Sequence, residues 1–229
     1  MAYLTESLET WRLIKTDGEY SGVCCLPNTN LLVVVNSMTS SVDVITAYGL
    51  CLYSYRMPNH VCKSHGYLAV TLFNDNPVII VSAQTGIICM NMNWSGKRGI
   101  RKPELSLRSI QRYVHPEKDR FKPEGLCAIG SHVLVADFSG SRVVKFKLMA
   151  GAAGTNRLFL YKIGEHDVLE PLALDIVPLE DGAAQIGVAR LKGRAPGYHL
   201  LKFINITLGD NERRGQRGIS LYSPSSSSA

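Results

Sequence analysis

The feature that most limits what this chain can become is a repeat of short apolar runs. Three stretches lie over one another: residues 22–55, 60–92 and 125–148. Each holds an apolar strand, a polar turn and a second strand, LLVVVN at 31–36, YLAVTL at 67–72 or HVLVAD at 132–137. Another turn leads to a third strand, VDVI, PVIIV or RVVKF. In the first two a glycine then opens a fourth, GLCLYSY or GIICMNM. Runs this short and this rich in Val, Ile and Leu read as strands, not helices. With Asn36, Thr71 and Asp137 as the ruler, the step is about 35 residues. It is about 38 on the second pass, once a basic stretch at 95–122 is set aside. A weaker fourth copy covers 171–207, with AQIGVAR in the second-strand place.

Four strands per unit at such a period predict an all-β chain folded as a β-propeller. Each small sheet then buries both faces against its neighbours, which is why nearly every strand reads as apolar. About four blades are recognisable. Up to six are expected if residues 1–20, 95–122 and 205–222 supply degenerate strands such as TWRLIKT and GISLYS. Residues 4–14 also fit a short helix, with Leu4, Leu8, Trp11 and Ile14 on one side. The expected organisation is one propeller domain over 1–222 with a basic insertion at 95–122, then a flexible tail at 223–229.

The third copy carries a resemblance to a family. Pro123-Glu124-Gly125-Leu126, then Val133 to Asp137, then Ser141-Arg142-Val143-Val144 and Phe146, is similar to an NHL repeat. Asp137 and Arg142 fall at the matching positions. An aspartate at a strand end can hold a tight turn through backbone N–H groups, and an arginine five residues on can pair with it. The other copies depart from this pattern: Asn36 and Thr71 replace the aspartate and neither is followed by the arginine. The resemblance implies a propeller, usually of six blades, that serves as an interaction platform. In relatives joined to RING or B-box proteins, such a platform often binds RNA through a positive face.

Composition narrows the class. Of 229 residues 45% are hydrophobic, enough for a packed core. Only 19% are charged, which suits strands better than helix surfaces. No apolar run approaches the roughly 18 residues of a membrane helix, and MAYLTESLETW has neither the basic start nor the apolar centre of a secretory leader. The expected setting is cytoplasmic, with no membrane partner. Cys24, Cys25, Cys51, Cys62, Cys89 and Cys127 form no CxxC pair and mostly lie in apolar runs, so buried reduced thiols are expected.

Catalytic patterns are missing from the sequence: there is no GxSxG, P-loop, HExxH or CxxC pair. His60 and His65 have no carboxylate at ligand spacing and read as turn or surface histidines. Glu165, Asp167, Glu170 and Asp175 read as a solvated loop. No enzyme activity, metal or cofactor is expected, although propeller hydrolases and lyases assemble their sites from several blades, beyond the reach of one sequence.

Charge is more informative. The chain carries a net +6. Residues 95–122 hold Lys97, Arg98, Arg101, Lys102, Arg108, Arg112, Lys118, Arg120 and Lys122 against Glu104, Glu117 and Asp119, so the rest of the chain is neutral. Cations gathered in one segment suit an anionic partner. Leu107, Ile110 and Val114 predict a short helix there with Arg108 and Arg112 outward, while Tyr113 and His115 offer stacking surfaces for unpaired bases. An ordinary solvated loop has the same composition. A weaker basic group is Arg190, Lys192, Arg194, Arg213, Arg214 and Arg217. The first functional expectation is a non-enzymatic platform binding single-stranded RNA in post-transcriptional control. The alternative is a protein-interaction scaffold, such as the substrate-binding part of a ubiquitin ligase. A propeller hydrolase or lyase stands third.

Overall fold

The computed structural model describes residues 2–4, 10–13, 18–57, 67–83, 86–94, 105–114, 116, 121–151, 157–178, 183–191 and 199–207. Every regular element among them is a strand. A short hairpin, β1 (Ala2–Leu4) with β2 (Thr10–Leu13), comes first. The helix reading of 4–14 thus gives way to strands at Leu4 and at Thr10–Leu13.

Four antiparallel sheets follow in chain order. The first is β3 (Tyr20–Cys25), β4 (Leu31–Asn36), β5 (Ser41–Thr46) and β6 (Cys51–Arg56). The second is β7 (Leu68–Phe73), β8 (Asn76–Ala83), β9 (Gly86–Trp94) and β10 (Leu105–Val114). The third is β11 (Pro123–Ile129), β12 (His132–Asp137), β13 (Arg142–Ala150) and β14 (Leu158–Asp167). The fourth has three strands among the described residues: β15 (Pro171–Pro178), β16 (Ala183–Leu191) and β17 (His199–Thr207). The first strand of each sheet is the innermost, with β3 against β7, β7 against β11 and β11 against β15. Consecutive meanders that meet along their first strands are the blades of a β-propeller.

The core lies in the seams between blades, and side-chain alternation along each strand feeds two seams at once. Val33 and Val35 of β4 meet Ile79 and Val81 of β8 in the first seam. Val78 and Ile80 of the same β8 turn the other way and meet Val133, Val135 and Phe146 in the second. Leu134 and Val143 then face Ile186 and Val188 in the third. The β7–β8 hairpin closes at Asn74-Asp75, whose φ angles of 50° and 60° are those of a type I′ turn.

Two expectations are corrected. Thr71 lies on the inner strand β7, not on a second strand, so the ruler slipped by one strand. The residue matching Asn36 and Asp137 is Val81, because Ser82 N–H returns to Tyr67 O as Ser37 N–H does to Glu19 O and Phe138 N–H to Lys122 O. With Arg190, which pairs with Pro171 as Asp137 does with Pro123, the blade repeat becomes about 45 to 56 residues. GIICMNM accordingly belongs to a third strand, β9. The fourth is β10, so the short helix expected from Leu107, Ile110 and Val114 is a strand. Ten residues of the basic stretch are the outer edge of the second blade.

Candidate functional site

The turn from β12 to β13 is built around a carboxylate. Asp137 is fully buried at the end of β12. Its Oδ1 accepts the backbone N–H groups of Lys122, at 3.0 Å, and Gly140, at 3.1 Å. Its Oδ2 accepts Arg142 Nε at 2.9 Å. Arg142 Nη1 reaches Glu165 Oε2 on β14 at 3.4 Å, and Lys162 Nζ meets the same oxygen at 2.6 Å. A Cβ at position 140 would run into the Asp137 carboxylate and stand 2.8 Å from Arg142 Nε, so this turn requires glycine. Asp137 is spent on backbone and arginine, and its chemistry is that of a structural clasp.

The basic stretch is only partly visible. Lys97, Arg98, Arg101, Lys102, His115 and Arg120 lie outside the described residues, as do His60 and His65. Arg108 occupies a register shift of β10 between Leu107 and Ser109. Arg112 is exposed on the same strand. Tyr113 is half-buried, with its ring edge-on to Phe146 at 4.8 Å and 69°. Burial pushes its phenol above the usual range, partly offset by the Arg142 charge. Lys122 pairs with Glu124 at 2.7 Å and lies 5.1 Å from the Phe138 ring centre. Glu124 is itself buried, and burial, with the Glu124 charge next, pushes the Tyr67 phenol above its usual range. The structure therefore gathers Lys122, Asp137 and Arg142 at one turn, with Tyr113 packed on the blade behind it. It places Arg112 out on a separate edge.

Several groups escaped the sequence. Asp43, buried in β5, accepts Ser41 Oγ and Ser54 Oγ, each at 2.6 Å, and Asn36 Nδ2 at 3.3 Å. Its serine partners lie on two strands that pair only in the fold. Met149, Phe159, Tyr161 and Ile163 form an exposed apolar row on the outer half of the third blade, at 49%, 47%, 64% and 42% exposure. The alternation in LFLYKI was the available signal. A shallow cleft of about 500 Å³ also opens at one end of the first blade, lined by Cys25, Thr29, Leu31, Thr46 and Tyr48 among others. Cys24, Cys25, Cys51, Cys89 and Cys127 are unbridged, and Cys62 is outside the described residues. Burial raises the Cys89 and Cys127 thiols, whereas Cys25 and Cys51 are exposed, against the expectation of burial. Among the described residues, no three His, Cys, Asp or Glu side chains are grouped to hold a metal ion.

No protein-family model matches this chain, and no curated protein sequence matches it. Solved structures do. The chain is similar to the β-propeller domain of Cps50 (Swd1) from Myceliophteria thermophila, with a TM-score of 0.51 at 12% identity, covering 76% of this chain and 49% of that one. It is similar to a functionally unknown protein from Desulfotomaculum acetoxidans, with a TM-score of 0.52 at 10% identity over 87% of this chain and 59% of the other. Virginiamycin B lyase from Staphylococcus aureus aligns at a TM-score of 0.48 and 15% identity over 90% of this chain and 62% of its own. At such identities the likeness is one of fold. The chain spans about three-fifths or less of the length of these proteins.

Proposed function

We propose that this chain is a non-enzymatic binding platform whose partner is a protein. One observation carries the reading: the aromatic and aliphatic row on the third blade is left in solvent, while the same strands are sealed on their opposite face. Exposed contiguous apolar side chains of this kind mark interaction surfaces. The scaffold alternative of the sequence reading thereby moves ahead of RNA. Of the two stacking groups assigned to RNA, Tyr113 is engaged with Phe146, and the Lys122 ammonium is engaged with Glu124. RNA binding stands as the second reading, supported by the exposed Arg112 on β10 within a segment of nine cations against three acids. Kinship with NHL repeats belongs to the same proposal and rests on the Asp137–Arg142 clasp.

Nuclease treatment separates the two readings. Immobilised full chain is expected to retain a discrete protein from an extract of its source cells, and ribonuclease should leave that complex intact. Loss of the retained material on ribonuclease treatment, together with weaker capture by Arg112→Glu, overturns the protein reading in favour of RNA.

A further inference from the structure

We draw no further inference here: the strongest candidate, the exposed apolar row of Met149, Phe159, Tyr161 and Ile163 on the outer half of the third blade, belongs to the surface already proposed to bind a protein, and nothing in the structure shows what covers it.

Discussion

The first and third blades make one turn in two chemistries. In both, the left-handed residue has the same place: Ser40 at φ 54° and Ser141 at φ 49°. In both, the residue after the second strand donates its N–H back to the inner strand's approach, Ser37 to Glu19 O at 2.8 Å and Phe138 to Lys122 O at 3.0 Å. Met57 N–H reaches Ser40 O at 2.8 Å just as Val168 N–H reaches Ser141 O at 3.0 Å. The side chains differ. The third blade uses a buried carboxylate that holds two backbone amides and an arginine. The first uses an amide: Asn36 Oδ1 accepts Met38 and Thr39 N–H at 3.1 and 3.3 Å, and its Nδ2 donates to Asp43. The backbone needs only an acceptor at the end of the second strand. What surrounds that acceptor is open to variation, and so the Asp–Arg pair is present in one blade and absent from the other.

The largest expected effect breaks the third blade's version. Asp137→Ala strands the N–H groups of Lys122 and Gly140 and leaves Arg142 without its nearest carboxylate, a loss of about 3 kcal/mol. Asn36→Ala should cost about 1 kcal/mol, because a neutral amide is removed while Asp43 keeps the hydroxyls of Ser41 and Ser54. Urea denaturation, read as a change in midpoint at constant slope, compares the two. Equal losses would mean that charge adds nothing to the clasp.

The next effect sharpens the comparison by transplanting the acid. Asn36→Asp places a second carboxylate where Nδ2 now donates to Asp43 Oδ2 at 3.3 Å. Repulsion in a buried site should cost about 2 kcal/mol. Adding Ser41→Arg, at the position that matches Arg142, should recover about half of it. A single variant as stable as the parent would show that the first blade was already suited to the acid.

Steric demand separates the blades by a smaller margin. Gly140→Ala pushes a methyl into the Asp137 carboxylate and should cost about 1–2 kcal/mol. The matching Thr39 already carries a side chain, whose hydroxyl lies 2.7 Å from Ser41 Oγ, and Thr39→Ala should cost about 0.5 kcal/mol. Thermal midpoints would rank them. The reverse order would show that glycine was not required by the clasp.

The propeller was legible because blade strands bury both faces, so β4, β8 and β12 read as unbroken apolar runs. The same property hid which strand was which: LAVTLF of β7 and LLVVVN of β4 look alike, although one is innermost and the other second. The outer strand β10 misled differently. With one face in solvent, it mixes polar and apolar residues, and Leu107, Ile110 and Val114 happen to fall at helical spacing. Cys25 and Cys51 are exposed because β3 and β6 have an open face too. At the turn, the spacing of Asp137 and Arg142 is local and readable, since both ends lie on one hairpin. Asp43 was not readable, because its partner Ser54 comes from the next strand and nothing in VDVI marks it. The row of Phe159, Tyr161 and Ile163 alternates like any half-buried strand, and nothing in LFLYKI tells which of its two faces is the exposed one.

The smallest expected effect asks how far the third blade's charge chain extends. Glu165 is exposed and bridges Arg142 to Lys162, and the first blade offers no such extension, since Ser54 ends its network on a neutral hydroxyl. Exposed pairs gain little over water and are screened by salt. Glu165→Gln should therefore cost about 0.5 kcal/mol at low ionic strength and almost nothing in 1 M salt. Asp137→Ala should keep nearly its whole cost at both, because its carboxylate is shielded from solvent and two of its three bonds are to backbone amides. Denaturation of the two variants across that salt range locates the boundary between clasp and decoration. If the cost of Asp137→Ala falls with salt as steeply as that of Glu165→Gln, the clasp is a surface ion pair, and the contrast with the first blade collapses to one of charge alone.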